Sequence, residues 1–322
     1  MRLLIDGNSL GNACQNTQKL YLGDGKKQVQ AIFGFAKSLR SILVEERKTH
    51  DMHPASFVLW DGRAHWRYEL FPLYKGNRDN VNEKVQAEKD AYREQKPDIF
   101  RMLKLLGVTQ ITNPNAEADD LAGFYSRGLS RANENAVLIT ADKDWIQLVN
   151  NNIEWHCYKT KRHVYDKNSL HNVTGFITQK QFLDAKCLGG DSSDNVVGIG
   201  GFGDKAIEEF FQRFASVEEF FRLADSCGEE FRSTLTPLQL KFANNETPKP
   251  SKKFGGMLPM RDAYFRNLKL MSLLDVKIDR SENVISAGDF DQDGFLDFCH
   301  EFNFKSIIAD FDNFIKPFIR NS

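Results

Sequence analysis

Val137-Leu138-Ile139-Thr140-Ala141-Asp142 is a short apolar run that closes on an aspartate, and Leu3-Leu4-Ile5-Asp6 and Phe57-Val58-Leu59-Trp60-Asp61 repeat the pattern. Runs of this length bounded by turn residues read as buried strands of a parallel sheet. In an open α/β sheet the crevice at the carboxyl ends of the strands is where ligands bind. Distant parts of the chain therefore deliver carboxylates to one sheet edge. Two more acidic clusters, Glu117-Ala118-Asp119-Asp120 and Asp191-Ser192-Ser193-Asp194, join the set. A lone aspartate after a strand is ordinarily a turn former or a helix cap, but scattered caps do not produce a repeated strand-then-aspartate pattern. Crowded carboxylates repel, and without counter-charge they would take up protons. Hard oxygen ligands select Mg²⁺ or Mn²⁺. An acid-rich site for two such ions, about 3.5–4 Å apart, suits in-line hydrolysis of phosphodiesters. Zinc is disfavoured: Cys14, Cys157, Cys187, Cys227 and Cys299 form no CxxC pair, and the seven histidines show no ligand spacing.

Outward from these runs, the 322 residues suffice for about two domains, each with a core. An odd number of unclustered cysteines fits reduced thiols in a cytoplasmic compartment. A strand starting by Arg2 leaves no room for a signal peptide, and no apolar stretch approaches membrane-spanning length. The balance of 43 Lys and Arg against 44 Asp and Glu counts mildly against a nucleic-acid binder, unless the acids are sequestered on metals and the bases gathered elsewhere.

Residues 1 to about 175 alternate strand and helix signals, as a βαβ layer architecture requires. Apolar residues at Val29, Ile32, Phe33, Ala36, Leu39 and Leu43 predict a helix from Gln28 to Glu46. The first half of the next helical stretch, from Asn80, alternates charge and reads as a solvated helix. Pro97 marks a break, after which Ile99 to Leu106 resumes an apolar face. In one continuous helix Glu117 and Asp119 would point roughly 200° apart. To share a metal cluster, Glu117 must sit before the helix and Asp119 and Asp120 in its first turn, where the dipole favours negative charge. Asp142 and Asp144, two apart, point to one side if the backbone is extended. From about Thr178 the chain turns helical, with a Pro-, Asn- and Lys-rich loop at 243–260 and a final helix expected from Leu296 to Phe304.

Three further motifs need weighing. Gly198-Ile199-Gly200-Gly201-Phe202-Gly203 matches GxGxxG, but it follows an acidic loop rather than a strand that opens a βαβ unit. It reads instead as a glycine hairpin between helices that offers backbone N–H groups to a nucleic-acid phosphate, or as a plain tight turn. Asp289 to Gly294 resembles the start of a calcium loop, but the twelfth position is His300 where a bidentate Glu belongs, so a capped turn is the better reading. In Tyr74-Lys75-Gly76-Asn77-Arg78, Tyr can stack on a base, Lys offers a point charge and Arg can clamp a phosphate.

Phe71-Pro72-Leu73-Tyr74-Lys75-Gly76-Asn77-Arg78, Glu117-Ala118-Asp119-Asp120, Thr140-Ala141-Asp142-Lys143-Asp144 and Gly190-Asp191-Ser192-Ser193-Asp194-Asn195 resemble, in order, the signatures of the 5′-nuclease superfamily: flap endonucleases, phage 5′-exonucleases and the 5′-nuclease domain of bacterial DNA polymerase I. The resemblance implies an α/β, PIN-like, mostly parallel sheet flanked by helices over residues 1–177. It implies a helical arch at about 76–104, and a helical DNA-binding domain over 178–322 with a helix–three-turn–helix at about 180–214. Asp6, Asp61, Glu117 and Asp119 match the carboxylates around a first metal, with Asp120 alongside; Asp142, Asp144, Asp191 and Asp194 match those around a second. Lys75 matches an electrophilic lysine beside the scissile phosphate, Arg78 a phosphate-steering arginine and Tyr74 a base-stacking residue. Gly198, Gly200, Gly201, Gly203 and Lys205 fall in the duplex-gripping hairpin. Backbone carbonyls of Leu188, Gly189, Val197, Ile199 and Phe202 would hold a potassium ion, although Val197 stands where relatives usually carry proline.

The function so implied is a metal-dependent 5′-3′ exonuclease and flap endonuclease, using two Mg²⁺ (or Mn²⁺). It would act as a monomer on branched or 5′-ended DNA, including RNA–DNA primer hybrids in replication or repair. A non-catalytic DNA junction-binding protein and a PIN-type ribonuclease are the alternatives.

Overall fold

The computed structural model describes all residues except 24, 26, 52, 79–81, 250–257 and 320–322. The chain divides into two compact units, Met1–Ala64 with Val81–Tyr165 and Val276–Ser322, and His65–Asn80 with Asp166–Asp275.

The first unit is built on a seven-stranded sheet. In chain order its strands are β1 (Arg2–Asp6), β2 (Ala55–Trp60), β3 (Thr109–Thr112), β4 (Ala136–Ile139), β5 (Ile153–His156) and β6 (His163–Val164). The seventh, β9 (Val284–Ser286), comes after a two-stranded hairpin of the second unit, β7 (Gly190–Asp191) and β8 (Val196–Val197). The order is β9-β3-β2-β1-β4-β5-β6. The five inner strands run parallel, and the edge strands β9 and β6 are antiparallel. Register places Asp6 of β1 opposite Leu59 and Ile5 opposite Ile139. The apolar runs therefore end level with one another, and the segments carrying Asp61 and Asp142 leave the sheet at the same edge. Strand order reverses at β1, the switch point where such sheets open a crevice.

Helix α1 (Gly7–Gln15) follows β1 directly, and α2 (Gln30–His50) buries Ile32, Phe35, Ala36, Leu39, Ile42 and Leu43 against the sheet. Pro97, which the sequence alone marks as a break, lies inside one continuous helix, α3 (Glu83–Leu105). Proline in a helix interior costs about 3 kcal/mol, and packing on either side of it offsets that. Gln95 is fully buried, its Oε1 accepting the Ala31 N–H at 2.9 Å, while Ile99, Met102 and Leu103 enter the core. The charged first half of α3 is largely exposed, as the charge pattern implies; of the expected arch segment, residues 79–81 lie outside the described residues.

The units depart from a single cut after residue 177. Residues 276–319 return to the sheet: β9 pairs with β3, and Phe295, Phe298, Phe302, Phe304 and Phe314 join the core that holds α2 and α3. The helix expected to be last, α9 (Gln292–Glu301), is followed by short helices at Lys305–Ile308 and Phe311–Ile315. Asp291 caps α9, accepting the Gly294 N–H at 2.9 Å, as a capped turn requires.

The second unit packs α5 (Gln179–Gly189), α6 (Asp204–Arg213), α7 (Val217–Ser226) and α8 (Met260–Met271) around Phe202, Phe210, Phe214, Phe220 and Phe242. Part of the expected 243–260 loop, 250–257, lies outside the described residues. Between α5 and α6 sit the β7–β8 hairpin and the glycine segment, the layout expected at about 180–214. Buried Asp184 ties the helices together, accepting from the Tyr264 hydroxyl at 2.7 Å and the Val217 N–H at 2.9 Å. Among the described residues no helix is long and apolar enough to cross a membrane.

Candidate functional site

At the carboxyl edge of the first unit, each predicted acid is fixed by the local structure that follows its strand. Asp6 ends β1 and caps α1, accepting the Ser9 N–H at 2.8 Å, while the Thr140 hydroxyl donates to its other oxygen at 2.9 Å. Capping and ligation are compatible, because an ionised carboxylate has about four lone-pair sites. Asp61 accepts the Ala118 N–H at 2.8 Å. Its neighbour Gly62 must be glycine: a Cβ there would lie 2.0 Å from the Asn113 carbonyl oxygen, and its N–H donates to the Ala116 carbonyl at 2.8 Å. That close approach holds the exit of β2 against the loop leading to Glu117.

Glu117 is the N-cap of α4 (Ala118–Arg131), with Asp119 and Asp120 in the first turn, the geometry required for Glu117 and Asp119 to share a site. Asp120 is fully buried, and its Oδ2 accepts the Glu117 N–H at 2.9 Å. It thereby braces the N-terminus of α4 as part of a capping box. Asp142 and Asp144 do not lie on one extended segment. Asp142 caps a 3₁₀ helix, Lys143–Leu148, and accepts the N–H of Asp144 in its first turn at 2.8 Å.

The electrostatics show how closely these groups converge. Asp119 lies well above the ordinary carboxylate range, first through burial and then through repulsion from Asp142, Asp6, Asp61 and Glu117. Asp6 is pushed up to about 7 by burial and by Asp61 and Asp142, against the opposing bonds from Ser9 and Thr140. The five carboxylates thus put like charge at one sheet edge, and as ligands they offer oxygen only. That donor set fits Mg²⁺ or Mn²⁺. Three supporting residues escape sequence reasoning. Thr140 and Trp145, whose Nε1–H donates to Asp119 Oδ1 at 2.7 Å, orient ligands. Lys96 lies 4.9 Å over the Trp60 ring, donates to Asn8 Oδ1 at 3.1 Å and feels the charge of Asp61; burial lowers its pKa. Thr140 and Trp145 flank the Asp142 motif and were open to notice, whereas Lys96 is hidden among the charges of α3.

The second unit brings together two motifs remote in sequence. Asp194 accepts the Tyr74 hydroxyl at 3.0 Å and the Arg78 guanidinium at 2.6 Å, and its carboxylate lies 3.8 Å from Lys75 Nζ. The Asp194 carbonyl accepts the Lys75 N–H at 2.9 Å, Asn77 reaches the Ser192 carbonyl at 2.7 Å, and Asn195 reaches the Leu73 carbonyl at 2.7 Å. Tyr74, expected to stack on a base, is buried in this unit's core, edge-on to Tyr68. Asp191 would be raised by burial, but Lys186, at 3.1 Å, and Ser193 outweigh it and hold it below the usual carboxylate range.

In the glycine hairpin, a Cβ on Gly198 would meet the Gly189 carbonyl oxygen at 2.3 Å. Gly201 has φ +91, and a Cβ there would meet Leu238 at 2.7 Å. Both glycines serve the fold. Gly203, the N-cap of α6, has nothing within 4 Å of its Cβ position, and Lys205 in the next turn is largely exposed. Of the carbonyls expected around potassium, that of Val197 already accepts from Asn267 Nδ2 at 2.8 Å and Arg266 at 3.3 Å, which occupies both its lone pairs.

The fold and the acid edge are those of the 5′-nuclease superfamily, whose members are hydrolases. The chain belongs to the 5′-3′ exonuclease family: its residues 1–175 match the model of the N-terminal resolvase-like domain. It is 32% identical over 234 residues to DNA polymerase I of Lactococcus lactis subsp. lactis, covering 70% of this chain but 25% of the polymerase. The chain thus spans about a quarter of that relative's length. Among solved structures, a bacteriophage T5 flap endonuclease in a pseudo-enzyme–product complex with DNA and metal ions matches with a TM-score of 0.62 at 20% identity, over 98% of this chain and 97% of that one. The catalytic core of Rad2 in complex with DNA substrate matches with a TM-score of 0.55 at 17% identity, over 99% and 92%.

Proposed function

We propose that the chain is a metal-dependent, structure-specific 5′ nuclease that hydrolyses phosphodiester bonds in 5′ flaps and at 5′ ends of DNA. Its proposed role is processing primers or Okazaki fragments during replication or repair. The observation that carries this reading is the position of Asp119 among Asp142, Asp6, Asp61 and Glu117, all delivered to one sheet edge. Membership of the exonuclease family and the DNA- and metal-bound T5 structure support it.

Asp6, Asp61, Glu117, Asp119, Asp142 and Asp144 would hold divalent ions. When bound, two such ions lower the pKa of an attacking water and stabilise the leaving oxygen. The chain's own contribution is positional. Thr140, Trp145 and the Ala118 N–H hold individual carboxylate oxygens, so the site need not reorganise as charge develops. Lys75 and Arg78 would neutralise charge growing on the phosphate, and Asp194 keeps both side chains in place for a phosphate to take over as their partner. The backbone N–H groups around Gly200 and Gly203, with Lys205, would grip a duplex phosphate.

Purified protein is incubated with labelled 5′-flap DNA or single-stranded RNA, in Mg²⁺ and in EDTA. Flap cleavage in Mg²⁺ alone is expected. Intact flap in both tubes, bound but uncut, would establish a junction-binding protein instead, and preferential RNA cleavage a PIN-type ribonuclease.

A further inference from the structure

We infer that Glu46, His50 and His156 form a separate site for one transition-metal ion, with Zn²⁺ the fitting probe. Glu46 and His50 are four residues apart near the end of α2 and so share a helix face. His156 ends the neighbouring strand β5. One ligand atom from each of the three lies within 4.8 Å of the others. His156 Nδ1 lies 2.8 Å from Glu46 Oε1, and His50 Nε2 lies 3.4 Å from Glu46 Oε2.

Two features distinguish this cluster from a self-sufficient ion pair. First, Glu46 Oε2 and His50 Nε2 are buried, and beyond the 3.4 Å ion-pair contact between them neither has a hydrogen-bond partner. Buried polar atoms are rarely left so, and a cation between them would satisfy both. Second, the far nitrogen of His156 lies 3.0 Å from Glu154 Oε2. A metal-bound histidine commonly donates its other N–H to a carboxylate, which fixes the tautomer, and the near nitrogen would exchange its contact with Glu46 Oε1 for the ion. A small pocket that Glu45, Cys157, Lys161 and His163 also line opens beside Glu46 and His156.

Two imidazoles and one carboxylate favour Zn²⁺ and its neighbours over Mg²⁺. The chemistry therefore differs from that of the oxygen-only edge. The expectation that the histidines show no ligand spacing holds only along the sequence, since the third ligand comes from another element. A bound ion would staple the end of α2 to β5. The N–H of Thr140, whose hydroxyl holds Asp6, donates to the His156 carbonyl at 3.3 Å, so the staple would brace the strand behind the acid edge.

The full-length protein, with its oxygen ligands saturated by Mg²⁺, is titrated with Co²⁺ and followed by visible absorption. One equivalent of Co²⁺ is expected to give the d–d bands of a nitrogen-containing site, which Zn²⁺ abolishes. His50→Gln and Glu46→Gln, checked for folding by circular dichroism, should lose the bands, and Asp119→Asn should keep them. X-ray absorption at the zinc edge of the wild-type protein, which needs no variant, should show the outer-shell scattering of two imidazoles. Unaltered bands in folded His50→Gln, their loss in Asp119→Asn, or a zinc shell without imidazole would overturn the assignment. None of these readouts involves cleavage, so the site can fail while the nuclease reading stands, and the reverse.

Discussion

The acid edge of the sheet and the Asp191–Asp194 hairpin look alike as sequence, and the structure treats them in opposite ways. At the sheet edge Asp6 and Asp119 face other carboxylates and are held high. At the hairpin each carboxylate has its own counter-charge: Lys186 beside Asp191, and Lys75 and Arg78 beside Asp194. The first arrangement keeps a repulsion that a divalent cation, as proposed, would relieve. The second is electrically satisfied and serves as a clamp that fixes residues 73–78 to the hairpin. Charge count does not separate the two arrangements; the partners of each charge do.

The largest effect expected from breaking this contrast is on catalysis. Asp119→Asn should lower flap cleavage roughly 100-fold or more, since it removes a proposed metal ligand, and the groups that support such ligands are alone typically worth 10–100-fold. In EDTA the same change should raise the melting temperature, because it removes a repelling charge. A lower melting temperature would mean that Asp119 is structural.

Asp194→Asn should do the opposite to stability. It removes the negative charge that faces Lys75 and Arg78, at a cost of about 1 kcal/mol, given the exposure of Arg78. Denaturant melts read this directly, and a stabilised variant would show that the hairpin too is repulsive.

A smaller effect follows from Asp6. Its folded value of about 7 exceeds the unfolded 3.8, so between these values the folded state binds more protons than the unfolded. Stability in EDTA should therefore fall as pH rises from about 4 to about 7. The Asp6→Asn variant should flatten that part of the profile, and calorimetry across this range measures the difference.

The smallest effect belongs to the glycine segment. Gly203→Ser adds a Cβ in open space and supplies a better helix cap, so folding should be unharmed. Duplex affinity should drop a few-fold for all DNA sequences alike, because phosphate contacts carry no base information. An unchanged dissociation constant would remove the segment from the DNA interface.

Much of the first unit is legible in the sequence because its signals are local. Apolar runs fix the strands, and the aspartates that end them mark the functional edge. Glu117 at the start of α4 follows from helix geometry alone. What is not legible depends on packing between remote segments. Pro97 is held within α3 by buried neighbours on both sides of it, and residues 276–319 return to the sheet through aromatic contacts that no spacing announces. Tyr74 reads as a stacking residue until its burial is seen. The Glu46, His50 and His156 cluster was missed for the same reason, its third ligand arriving from β5.

The most direct measurement of the central claim is the shift in melting temperature that Mg²⁺ produces in wild type and in Asp119→Asn at neutral pH. Relief of uncompensated repulsion at the sheet edge requires a clear rise for the wild type and a much smaller one for the variant. Equal shifts in the two proteins, or no shift in either, would contradict it.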